Sequence, residues 1–233
     1  MDDELDIQLQ DADDIGARIV LLSAIGFWPG FEAYSDRKSW LDWLQNQGVL
    51  EIATEAEQRF LNAKALAEAD LDRSRSAFDA IWALGWCVHL HDQPGFALSD
   101  KPMNELVGNL PTPGGSMEPF LDDVLIRIED EIAIERERAE VWNWRLGAEI
   151  MVRSRKGRSR DELREAITEV VLECSVSDAF PDVDGSDFLV DEARVVDIDD
   201  ELLEVLMVAS DEHLRALNWV CGLTDWESIQ IAD

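Results

Sequence analysis

Residues 70–90, Asp70-Leu71-Asp72-Arg73-Ser74-Arg75-Ser76-Ala77-Phe78-Asp79-Ala80-Ile81-Trp82-Ala83-Leu84-Gly85-Trp86-Cys87-Val88-His89-Leu90, decide the fold. Wound as a helix, the stretch places Leu71, Phe78, Ile81, Trp82, Leu84, Gly85, Trp86 and Val88 on nearly every side. A surface helix needs one apolar stripe; a helix apolar all round is a central element packed on several neighbours. The chain therefore reads as mainly α-helical, with its other helices arranged about this one.

The helical period recurs outward in both directions. Ile15, Ile19, Leu22, Ala24, Ile25 and Trp28 predict a helix capped by Asp13 or Asp14. Trp40, Trp43 and Leu44 share the stripe of a second, which begins at Ser35 and stops at Gly48. Thr54-Glu55-Ala56-Glu57 is a capping box opening a third, with Phe60 and Leu61 inward. Beyond residue 90, Pro94, Pro102, Pro111 and Pro113, with Gly95, Gly108, Gly114 and Gly115, interrupt regular structure over 92–117, apart from a short turn near 103–107. That stretch is the candidate join if residues 15–233, a single helical domain, divide into two lobes.

Leu121, Leu125, Ile128, Ile132, Ala139, Trp142 and Leu146 predict one long helix over about 118–152, with Glu135 at the one seam position lacking a hydrophobe. A second capping box, Ser159-Arg160-Asp161-Glu162, opens a helix to about Cys174. Residues 187–196 read as two short strands around a tight turn at Asp191-Glu192. A last helix runs from about Asp199 to Cys221 and ends at Gly222. The fold class expected is mainly α: a single multi-helix globular domain with a small β-hairpin between the last two helices.

The 233 residues carry 20 Lys and Arg against 51 Asp and Glu, a formal charge of −31. A field of that sign repels the phosphate backbone, so no nucleic-acid partner is expected. Hydrophobic residues make up 46%, with nine Trp and eight Phe, so the chain folds rather than remaining a disordered acidic tail. High Asp with only four Lys, at positions 38, 64, 101 and 156, is the composition of salt-adapted proteins. The acids are clustered, however: seven with no base between Asp2 and Asp14, read as a flexible acidic arm over 1–14, and eleven against Arg194 alone over 178–204. Residues 153–160 form the one basic island, placed to contact the chain's own acidic surface or to hold a phosphate or an acidic partner. The acidic start lacks the bases of a signal peptide, and no apolar run approaches the ~20 residues of a membrane span. Cys87, Cys174 and Cys221 form no C-x-x-C pair. A cytoplasmic location without membrane association is expected.

Cys87, His89 and His91 alternate, which on a strand would converge on a metal, but helical winding sets alternate residues ~200° apart. No metal or other cofactor is expected. No Gly-x-Ser-x-Gly or phosphate-cradling glycine loop is present, so the chain leans away from an enzyme. Glu135, if buried, must find a base or take up a proton, with Arg136, Arg138 or an Arg from another helix as partner. Arg215, Asn218 and Trp219 fall within one helical turn. With Trp226, and with Trp144 and Arg145, they are read as a polar-aromatic junction tying the C-terminal tail to the long helix, either as a clasp or as a ligand pocket.

Arg215-Ala216-Leu217-Asn218-Trp219-Val220-Cys221-Gly222 followed by Asp225-Trp226-Glu227 resembles the closing signature of the bacterial domain of unknown function 4272 family. Ile81-Trp82-Ala83-Leu84-Gly85 is similar to the family's central helix, Trp142-Asn143-Trp144-Arg145 to its aromatic long helix, residues 40–50 to its early helix, and 187–196 to its hairpin. The resemblance spans most of residues 15–233. Asn143 stands where many relatives carry a His, and Ile231-Ala232-Asp233 replaces a polar tail. The family carries no established activity, so the resemblance implies a fold and a single domain. The leading functional expectation is an acidic protein-interaction module, inhibitor- or immunity-like, that binds a basic protein. The alternatives are a small-molecule-binding protein or enzyme with a cleft near Glu135, Trp144 and Arg145, and a housekeeping protein whose acidity reflects a salty cytoplasm.

Overall fold

The computed structural model describes residues 7–31, 34–95, 103–155 and 157–227. The central helix is α4 (Glu68–Cys87), in which every residue from Ala80 to Cys87 is buried; it lies between α1 (Ala12–Phe27) and α9 (Asp200–Val220). Around them run α2 (Tyr34–Asn46), α3 (Glu55–Leu61), α5 (Met103–Gly108), α6 (Glu118–Asp123), α7 (Glu129–Ser154) and α8 (Arg158–Ser175). The capping box at Thr54 forms: Glu57 N–H donates to Thr54 Oγ1 at 3.1 Å, and Thr54 N–H donates to Glu57 Oε2 at 2.8 Å. Among the described residues no helix is long and apolar enough to cross a membrane.

The long helix expected over 118–152 is two helices with an extended link at 124–128, and Leu125 and Ile128 are 69% and 65% exposed instead of filling a seam. The cause is tertiary. The last turn of α4 presents carbonyls that its own backbone cannot satisfy. Arg127 bonds that end and the turn beyond it: its N–H donates to Cys87 O at 2.8 Å, its Nε to Trp86 O at 2.6 Å, a carbonyl shared with His89 N–H, and its Nη2 to His91 O at 3.0 Å. A continuous helix could not bring both the backbone and the side chain of Arg127 to that end. The capping box expected at Ser159 is also absent. α8 begins two residues earlier, with Gly157 at its N-cap, and Ser159 Oγ accepts from Arg155 Nη1 at 3.1 Å.

The hairpin expected between the last helices is present: β1 (Leu189–Val190) pairs antiparallel with β2 (Ala193–Arg194). Its turn residues Asp191 and Glu192 have φ of +47° and +71°, a mirror-type turn that usually calls on Asn-Gly.

Two apolar cores result. The first gathers α1 to α6 with Ile132 and Ala139 of α7 and Ala216, Leu217 and Val220 of α9. The second joins Trp142 and Leu146 of α7, Val171 and Cys174 of α8, Phe188 and Val190 of the hairpin, and Leu203, Leu206 and Ala209 of α9. Within the Pro- and Gly-rich stretch 92–117, Leu106, Leu110 and Met117 pack on the first core. α7 and α9 contribute residues to both cores.

Of the acidic arm over 1–14, residues 1–6 lie outside the described residues, and Ala12 to Asp14 open α1. Between them the chain is pinned: Gln8 N–H donates to Cys221 O at 3.2 Å and Gln10 N–H to Val220 O at 2.9 Å. The approach is close because Gly222, at φ +68°, has no Cβ; one built there would lie 2.5 Å from Gln8 O. Gly222→Ala is therefore expected to lower stability by about 1–3 kcal/mol, read from urea denaturation; unchanged stability would show that the 7–11 segment does not dock as described.

Candidate functional site

Glu57 is 6% exposed and gathers donors from three parts of the chain. Arg18 of α1, itself 4% exposed, donates through Nη1 to Glu57 Oε2 at 3.0 Å and through Nη2 to Ile52 O at 2.7 Å. Trp226 of the C-terminal tail donates Nε1–H to Glu57 Oε1 at 3.0 Å. The Trp226 ring meets Trp219 edge-to-face at 5.3 Å and faces two guanidinium groups, Arg18 at 4.7 Å and Arg215 at 4.1 Å. Arg215 is in turn ion-paired with Glu212, whose carboxyl burial pushes above its usual range while the Arg215 charge opposes the shift. Burial draws the Arg18 pKa down, and the Glu57 charge opposes that.

The structure thus brings together three of the residues singled out in the sequence, Arg215, Trp219 and Trp226, and adds Arg18 and Glu57. The tail is tied to α1 and α3. Asn218 makes the separate link to α7, its Oδ1 accepting from Arg136 Nε at 2.8 Å. Trp144 is 37% exposed and belongs to neither contact. Arg145 is 1% exposed and lies elsewhere: it grips Asp187 through Nε and Nη2, both at 2.8 Å, and donates to Glu149 Oε2 at 3.1 Å, holding the hairpin segment on α7. From the basic island, Arg153 also turns inward, donating to Glu149, Asp200 and the carbonyl of Ile198.

Glu135 is 4% exposed at the seam between the two cores. His213 Nε2 lies 3.2 Å from its Oε1, and Arg138 Nη1 is 3.6 Å from its Oε2, beyond hydrogen-bonding reach. Arg138 is anchored on its other side by Asp182. Here a cleft of about 320 Å³ opens between α7, the hairpin and the end of the α4 loop. Pro94, Ala139, Trp142, Pro181 and Leu189 supply apolar walls, and the exposed Asp191 and Glu192 stand at its mouth. The expected cleft near Glu135 exists, but its aromatic wall is Trp142. Residues 142 and 144 are ~200° apart on a helix and cannot face one way. Arg145 is hidden beneath the hairpin. Among the described residues no Ser, Thr, Cys, His or Lys lines the cleft.

The alternating trio does not converge. Cys87 is fully buried, while His89 takes a left-handed turn at φ +58° to end α4. His91 stacks on Trp82 with ring centres 3.7 Å apart. Among the described residues no group of three or more His, Cys, Asp or Glu is placed to hold a metal ion. Burial raises all three thiols, Cys221 to about 11 and Cys87 further, so they pack as small hydrophobes.

Glu57→Gln leaves Arg18 buried without its countercharge and is expected to cost about 3–5 kcal/mol. Arg215→Ala, whose partner Glu212 is then left uncompensated, is expected to cost about 1–3 kcal/mol. Urea denaturation measures both, and native stability in Glu57→Gln would refute the clasp. Burial also lowers the His91 pKa, opposed by the Trp82 carbonyl and assisted by the Arg127 charge. As pH falls below the unfolded value near 6.5, the unfolded chain takes up a proton that native His91 resists, so stability is lost. His91→Gln is expected to flatten the fall in urea midpoint between about pH 7.5 and 5.5; an unchanged slope would contradict this.

A family model described as Domain of unknown function (DUF4272) matches residues 1–162. No curated protein and no solved structure matches the chain significantly. The matched span takes in the central helix at 81–85 and the aromatic segment at 142–145, and ends before the Arg215 to Glu227 stretch, where the resemblance in sequence is most detailed. Spanning α1 to α7 and more than half of the chain, the match shows that the chain belongs to the DUF4272 family.

Proposed function

We propose that the protein is an acidic interaction module that binds a basic protein partner, in the manner of an inhibitor or immunity-type protein. The supporting observation is how the acids over 178–204 divide. Asp182, Asp187, Asp197 and Asp200 are consumed by Arg138, Arg145, Arg194 and Arg153. Asp178, Asp191, Glu192, Glu201 and Glu204 are exposed and have no ion pair among the described residues. In their midst the first half of α9 exposes Leu202, Val205 and Val208 at 39%, 60% and 49%. Unpaired charge steers a basic partner and speeds encounter, while apolar anchors beside it supply affinity. A reducing cytoplasm suits the three free, buried cysteines.

A second reading, a small-molecule-binding protein, is favoured by the cleft beside Glu135 alone.

Low-salt affinity capture from the source cells, with bound proteins identified by mass spectrometry, tests the main reading. A basic protein is expected that is retained by the native chain and lost by Glu201→Lys/Glu204→Lys. Recovery of no basic protein, or equal recovery by the charge-reversed chain, would overturn it.

A further inference from the structure

We propose that the cleft beside Glu135 seats an arginine side chain of the basic partner. This deepens the reading above and rests on it for the source of the side chain. The chemistry of the site stands on its own geometry.

Charge comes first. Among the described residues the lining holds four carboxylates, Glu135, Asp182, Asp191 and Glu192, against one guanidinium, Arg138. Arg138 is already placed between Glu135 and Asp182, so a second cation meets a net attraction. The deepest of the four, Glu135, has His213 at Oε1 and Arg138 Nη1 3.6 Å from Oε2, an ion pair longer than a hydrogen bond, so an entering N–H group adds a hydrogen bond there.

The walls choose the kind of cation. The cleft, about 320 Å³, has room for a long side chain, and Pro94, Trp142, Pro181 and Leu189 give an alkyl stem apolar cover. Guanidinium is more weakly hydrated than ammonium and carries five donors in one plane. It therefore enters such walls at lower desolvation cost and can bridge Glu135 Oε2 to a carboxylate at the mouth. A peptide-borne arginine also brings main-chain carbonyls, the acceptor that the buried Arg138 Nε lacks. The mouth completes the case: Asp191 and Glu192 hold left-handed φ without being glycine, so the turn gives up stability and keeps two carboxylates there.

The test titrates the full chain, by calorimetry and by amide NMR, with Nα-acetyl-arginine amide, its lysine counterpart and neutral Nα-acetyl-norleucine amide. Saturable binding of the arginine compound is expected, tighter than that of the lysine compound, with none for norleucine. Asp191→Asn/Glu192→Gly installs the favoured turn pair and removes both carboxylates. It is expected to weaken arginine-amide binding by at least ~10-fold while its thermal midpoint equals or exceeds that of the parent. Glu201→Lys/Glu204→Lys, outside the cleft, is expected to leave arginine-amide binding unchanged. Loss of partner capture with intact arginine binding, or the converse, therefore separates the two proposals. The cleft assignment is overturned by no saturable binding of the arginine compound, by equal binding of the lysine or norleucine compound, or by undiminished binding to the Asn-Gly turn variant.

Discussion

A carboxylate taken out of water must be met by donors, and this chain has 51 carboxylates against 20 basic side chains. The supply of guanidinium is the limiting quantity, and the fold is organised by where it goes. Arg18 is committed to Glu57, Arg145 to Asp187 and Glu149, Arg138 to Glu135 and Asp182, and Arg215 to Glu212. Several of these pairs join distant parts of the chain, so each neutralises an acid and also fixes one element on another. Arg18 holds α1 to α3, and Arg145 holds the hairpin segment to α7. Buried pairs of this kind add little stability over an apolar packing, but each makes the alternative arrangement, with one charge stranded, expensive.

The same commitment shapes the surface. With several arginines drawn inward, Asp178, Asp191, Glu192, Glu201 and Glu204 have no ion pair among the described residues, and the first half of α9 sets three exposed hydrophobes among them. The seam between the two cores is where polar groups go furthest inside. Glu135 and His213 meet there from the two helices that run through both cores, and the packing parts to leave the cleft.

The all-round apolar character of 70–90 is enough to mark α4 as the centre, because a helix packed on one side only would leave some of Ile81, Trp82, Leu84 and Trp86 in water. The Thr54 capping box and the Asp191-Glu192 turn are equally local, and both were legible. The link at 124–128 was not: the apolar period continues through it, and what breaks the helix is the carbonyl end of α4, some forty residues earlier, drawing Arg127 away. The clasp was half legible. Arg215, Trp219 and Trp226 are visible as polar and aromatic residues in excess of what a core requires, whereas Arg18 sits within an apolar helix and Glu57 already has a local role as a cap. Trp142 keeps the apolar period of α7 and Trp144 does not, so the buried member of the pair was legible, whereas the cleft that Trp142 lines depends on the hairpin and Pro94, which lie far from it in sequence.

The central claim is that the acid surplus is tolerated because the inner carboxylates carry their own guanidinium partners, leaving the outer ones free. Thermal unfolding followed by circular dichroism at about 20 mM and at about 2 M potassium chloride tests it most directly. The account predicts a cooperative transition from a folded protein at low salt, with the midpoint rising modestly as added salt screens surface repulsion. A chain unfolded at low salt that folds only in molar salt would contradict it, and would assign the charge to a salty interior instead.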